Sequence, residues 1–263
     1  MSTTAPTLAT ERRTPPWGGF SGTLMGLELR RALRNRRTVI FTVVVPPVLF
    51  LLFGTDGSYK TQSAGNGNVT AYIMISMAVY GAMIASTSGG AMVSIERAVG
   101  WSRQLRLTPL HPLAYVTVKV ACAMVMGLVA VVAVFVVGLA FGADLPVSTL
   151  VACGVLGWVC SALFAAFGLF MGYLLPSENV MQVLGPLLAV LSFAGGLFVP
   201  LSQMSQVFAD IATYTPVYGV GVIARYPLSQ EGTLWTAVLN VVVWTAVFVG
   251  GAVWRFRRDT ARV

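Results

Sequence analysis

Apolar residues in this chain gather into six blocks, at 38–53, 69–93, 115–141, 148–175, 181–199 and 233–254, separated by short polar stretches. A helix needs about 20 residues to cross a ~30 Å hydrocarbon core, and most of the blocks reach that length. The pattern predicts an all-α membrane domain over 38–254, with spans near 38–54, 69–93, 115–141, 148–175, 181–199 and 233–254. The first block is the shortest, covering roughly 24 Å at 1.5 Å per residue. Pro46 and Pro47 remove two amide donors and should bend it, and extension through Arg37 and Gly54 would lengthen it.

The intervening segments carry patterns of their own. Residues 1–21, rich in Thr, Pro and Gly, read as a disordered tail. Over 22–37, Met25, Leu29, Ala32 and Leu33 share one helical face, and Arg30, Arg31, Arg34 and Arg37 share the opposite one. A basic amphipathic helix beside a span lies in the headgroup plane. The polar stretch 55–68 is an external loop. Ser76, Ser86, Thr87, Ser88, Gly89 and Gly90 in the second block mark a helix packed inside the bundle, because small residues let backbones approach closely. The Gly138/Gly142 and Gly168/Gly172 spacings carry the same packing meaning, and Gly185-Pro186 should kink the fifth block. Segment 200–232 is too apolar for a solvated loop and too broken for two crossings. It is read as two half-helices dipping into the outer leaflet, bent near Thr215-Pro216. Asp210 and Arg225 flank this hairpin, either paired or separately solvated.

Charge fixes orientation. Of 17 basic residues, Arg12, Arg13, Arg30, Arg31, Arg34, Arg36 and Arg37 precede the first block. Arg97, Arg103 and Arg106 follow the second, and Arg255, Arg257, Arg258 and Arg262 occupy the tail 255–263. The opposite side holds only Lys60 and Arg225, so both termini are cytoplasmic by the positive-inside rule and the number of crossings is even. The net charge of +8 belongs to these flanks and their anionic headgroups, not to nucleic acid. Cys122, Cys153 and Cys160 fall within apolar blocks and make neither a disulfide framework nor a metal site.

Catalytic signatures are missing. No phosphate-cradling G-x-x-x-x-G-K-[ST] is present, and the single His111 excludes a two-His metal site. The acids fall at block ends or in loops, away from the midplane where carriers and pumps keep coupling groups. Lys119, near a cytoplasmic end, can snorkel. Any uphill transport must therefore draw its energy from elsewhere.

The most specific stretch follows the second block, from Ser94 to Pro112, and a short amphipathic helix is expected from about Glu96 to Leu107. It resembles the hallmark of type 2 ABC transporter permeases, E-R-x-x-G-x-x-x-x-L-x-x-T-P-L-x-P, with Glu96, Arg97, Gly100, Leu105, Thr108, Pro109, Leu110 and Pro112 in place. Lys119 matches the lysine that follows, preceded by Val118 where the family often has Gly. The resemblance spans the whole chain and is greatest to the daunorubicin- and multidrug-exporter-like subgroup. It implies that Glu96, Arg97, Gly100, Arg103, Leu105, Thr108 and Pro109 form a coupling helix against a separately encoded ATPase subunit, with a smaller contact around Glu178. ATP and Mg would belong to that subunit, and this chain would hold no cofactor.

The reading is a permease subunit of an exporter in a bacterial plasma membrane, built from two permeases and two ATPases. Amphiphilic drugs, antibiotics, peptides or lipids would pass along a path that includes Pro46, Pro47, Ser76, Ser86, Gly185, Pro186 and Phe193. Export of a lipid-linked glycan and a passive channel or secondary carrier are the alternatives.

Overall fold

The computed structural model describes residues 22–100 and 112–260, and among these every extended element is helical. The chain opens with α1 (Gly22–Arg34), turns at Asn35, and enters α2 (Arg36–Val39). A π-helical stretch, Ile40–Val44, leads into α3 (Val45–Phe53). Then follow α4 (Val69–Ala98), α5 (Pro112–Ala140), α6 (Val147–Cys160), α7 (Ala162–Leu174), α8 (Val180–Ala194), α9 (Gln206–Ala212), α10 (Pro216–Ser229) and α11 (Leu234–Thr260).

Four stretches are long and apolar enough to cross a membrane: Val69–Ala98, Ala114–Ala140, Val147–Leu174 and Leu234–Phe256. The first and fifth blocks form shorter apolar helices, Ile40–Phe53 and Val180–Ala194. Pro46 and Pro47 do not break the helix Ile40–Phe53: they fall in the first turn of its α-helical part, directly after a π-helical stretch. The extra residue of the π stretch takes up the change in winding just before them. The fifth block stops at Ala194 rather than 199, at Gly195-Gly196, where Gly196 has φ +71. Pro186 lies inside α8 without ending it. In the apolar stretch 200–232, α9 and α10 meet at 92°, at the break before Pro216 that the sequence predicted.

α4 is the axis of the bundle. It packs against α3, α5, α6, α7, α8 and α10, and its core positions include Met74, Ile75, Met77 and Met83. The small residues predicted to bury do so at Ser76, Ser86, Thr87 and Gly90. The approach of α7 is the closest. A Cβ on Gly168 would overlap the Thr87 carbonyl, and one on Gly90 would overlap the Ala165 carbonyl. By contrast, α11 exposes most of its apolar surface, as a lipid-facing helix must.

Hydrogen bonds define the two ends of the bundle. At one end, the Asn68 side chain caps α4 through Ala71 N (2.9 Å) and accepts from Asp144 N (3.1 Å). It also donates to the carbonyls of Lys60 (3.3 Å) and Gly142 (2.8 Å). Asn66 N donates to Leu228 O at 2.8 Å, which draws in the end of α10. At the other end, Ser94 Oγ donates to Leu175 O (3.1 Å), joining the C-termini of α4 and α7. Hence α4, α5 and the α6–α7 pair each run the length of the bundle in alternating directions.

Candidate functional site

The second end of the bundle gathers charge. Glu96 and Arg97 occupy the last turn of α4, so they finish a span instead of opening a separate helix, as the expected Glu96–Leu107 element required. Gly100 follows at φ +74, with open space around its Cβ position. That left-handed conformation closes the helix and redirects the chain, a role glycine fills without steric strain. Arg103, Leu105, Thr108 and Pro109 lie outside the described residues, as does His111.

The neighbouring Glu96 and Arg97 point to different partners. Glu96, only 2% exposed, accepts at Oε1 from Lys119 Nζ (2.5 Å) and from Arg31 Nη1 (3.0 Å). Lys119, 6% exposed, also donates to Glu28 Oε2 at 2.6 Å. Arg31 lies 3.9 Å from Glu28. Two acids and two bases from α1, α4 and α5 thus form one neutral cluster. Lys119 does not snorkel, because its two carboxylates compensate the charge inside the protein. Arg97 turns the other way. It donates to the carbonyls of Gly172 (3.4 Å) and Tyr173 (3.5 Å) and lies over the Tyr173 ring. A cation at the α7 C-terminus meets the negative end of that helix's dipole. The E-R pair therefore fastens the end of α4 to α1 and α5 on one side and to α7 on the other.

Glu28 and Lys119 were absent from the predicted site. The missed signal is helical phase: Glu28 falls on the α1 face shared by Met25, Leu29 and Ala32, where an acid needs a buried cation. Met25 and Leu29 are half-buried against α5, and Cys122 Sγ reaches the Met25 carbonyl at 3.7 Å. Leu33 is exposed, together with Arg30, Arg31 and Arg34. Between α1–α2 and the spans α4 and α5 lies a cavity of about 650 Å³, with arginines at its rim and Met92, Ala123 and Met126 among its apolar lining.

The residues assigned to a substrate path do not share one surface. Pro46 and Pro47 are buried, and Pro46 packs on Gly81. Ser86 Oγ lies 3.2 Å from Ser161 Oγ, inside the bundle. Ser76 donates to Tyr72 O and accepts from Arg225 Nη1 at 3.0 Å. Arg225, 5% exposed, also donates to Gly196 O and lies over the Tyr72 ring. It forms no ion pair with Asp210, which ends the pairing alternative. Gly185, Pro186 and Phe193 lie on the exposed side of α8, whose buried stripe is Val180, Leu184, Leu188 and Ser192. Glu178, in the turn before α8, is exposed and takes no part in the charged cluster.

A bundle of apolar helices, with an amphipathic helix clamped to one end, defines a multi-pass membrane protein. The chain belongs to the ABC-2 type transporter family, whose model matches residues 22–226. It is also similar to the protein named "Putative transport permease YvfS" of Bacillus subtilis (strain 168), with 25% identity over 232 residues, covering 84% of this chain and 91% of the relative. The family and the relative both describe transport permeases.

Proposed function

We propose that this chain is the membrane subunit of an ATP-driven exporter. It crosses the membrane six times, with both termini cytoplasmic, and works as two copies with two separately encoded ATPase subunits. The crossings are the stretch from Arg36 to Phe53, α4, α5, the α6–α7 pair, α8 and α11, while α9–α10 enters and leaves the outer leaflet. The shorter first and fifth helices cross with flanking residues drawn into the bilayer or with local thinning. ABC-2 permeases normally work with an ATPase partner, which would bring ATP and Mg. A bacterial plasma membrane and amphiphilic cargo of the drug-exporter kind fit the apolar walls.

The observation that carries this reading is the fastening of Glu96 and Arg97. The residues of the family hallmark join α4 to α1, α5 and α7 at the basic end of the bundle. A push delivered to residues 101–111 would reach α4 directly and three further helices through the E-R pair. Glu96 thereby becomes a positioning residue for the coupling segment, its carboxylate turned inward. Arg103, Leu105, Thr108 and Pro109 remain the proposed docking residues, with Glu178 as a second contact. Gly185, Pro186 and Phe193, exposed on α8, are the path residues available to a second copy or to cargo.

The test is reconstitution. This chain alone in proteoliposomes should hydrolyse no ATP. With its ATPase it should show hydrolysis stimulated by amphiphilic cargo, reduced sharply by Gly100→Pro. Proline cannot adopt φ +74. Cargo-stimulated hydrolysis undiminished by Gly100→Pro would overturn the transmission route, and hydrolysis by the isolated chain would overturn the subunit assignment.

A further inference from the structure

We infer that the cavity beneath α1 seats the headgroup of an anionic phospholipid from the inner leaflet, held between the interfacial helix and the spans α4 and α5. The orientation rests on the proposal above, whereas the binding site does not. The cavity holds about 650 Å³ and has two chemically different walls. The spans contribute Met92, Ala123 and Met126 with Ser88, and the mutually neutralised Glu28, Arg31 and Lys119 of the charged cluster complete that side of the lining. The rim carries Arg30 and Arg34, one helical turn apart on α1.

Charge decides the occupant. The neighbouring Arg31 and Lys119 are already neutralised by Glu28 and Glu96. Arg30 and Arg34 pair with no carboxylate among the described residues and are exposed. Two uncompensated guanidiniums over an apolar pocket, beside a helix that lies in the headgroup plane, complement a phosphodiester carrying acyl chains. Arginine suits this role because its planar fork matches two phosphate oxygens at once.

The probe is phosphatidylglycerol against phosphatidylcholine in mixed nanodiscs, with lipid retained by the full-length protein read by native mass spectrometry. The wild type should be enriched in phosphatidylglycerol. Arg30→Gln/Arg34→Gln should lower that enrichment by about 30-fold, the combined effect expected of two arginines near an anionic surface. Both residues are exposed, so folding is not at stake. Ser88→Phe, which fills the cavity and leaves the arginines in place, should lower enrichment as well; Met92→Trp replaces it if Ser88→Phe unfolds the protein. Retained enrichment in the arginine variant overturns the site. Enrichment untouched by the filling variant shows diffuse surface attraction and also overturns it. Displacement of the lipid by glycerol phosphate at equal concentration would identify a free-phosphate site in place of a lipid seat. No ATPase is present, so a negative result leaves the exporter reading standing.

Discussion

Lys119→Met tests whether the charged cluster holds α1, α4 and α5 together at this end of the bundle. The lysine is 6% exposed and lies within 2.6 Å of two carboxylates. Its loss leaves Glu28 and the deeply buried Glu96 sharing one half-exposed partner, Arg31. Removing one member of a buried ion pair costs about 3–5 kcal/mol, because the other charge is left without compensation. At roughly 2–4 °C per kcal/mol for a chain of this size, the thermal midpoint in detergent should fall by about 6–20 °C. The second variant separates charge from packing. Glu96→Leu/Lys119→Met removes both buried charges and leaves Glu28 to pair with Arg31 along α1. Apolar replacement of a whole buried pair is commonly neutral or better, so the midpoint should return to within a few degrees of wild type. Transport should not recover with it, because the contact that ties α1 to the end of α4 is gone. A midpoint for Lys119→Met within ~1 °C of wild type would refute the desolvation argument. A double variant that loses the summed effect of both singles would show that the pair acts independently and that the cluster is not a unit.

Gly100→Ala should lower stability by ~1–2 kcal/mol, since φ +74 disfavours any Cβ while open space removes every other penalty. Gly100→Asn should recover part of this, as asparagine tolerates the left-handed region, and equal melting of all three proteins would refute the backbone account. At the other end, Asn68→Ala removes one helix cap, one hydrogen bond to the Lys60 carbonyl within the 55–68 loop, and two that join this loop to the α5–α6 loop. Loss of the cap alone costs about 0.5–2 kcal/mol, and the buried groups left unpaired add to it. Limited proteolysis within residues 55–68 should quicken in this variant, and unchanged cleavage would show that the loop is held by other bonds.

The parts of this fold legible in the sequence are those governed by local rules. Apolar runs located the long helices, and small residues at Ser86, Thr87 and Gly90 announced the buried face of α4. The break before Pro216 followed from proline's effect on the preceding residue. What escaped depended on meetings between distant segments. Arg225 and Asp210 stand close in sequence and were open to pairing or to separate solvation, yet Arg225 is buried and its donors go to Ser76 and Gly196. Lys119 was read as a snorkelling residue because a lone lysine at a helix end can always reach water. Only the fold brings Glu28 and Glu96, 91 and 23 positions away, within its reach. The same limit governed the hallmark itself. The motif marked Glu96 and Arg97 as functional, but its linear form suggested residues displayed on one short helix for a partner. Folded, the pair ends a span, and the two side chains grip opposite neighbours. A surface helix that only docked would transmit force through its own backbone alone. In the proposed exporter, a helix end clamped on both sides would displace α1, α5 and α7 whenever it moves, which is what a cytoplasmic event would need in order to reshape the bundle.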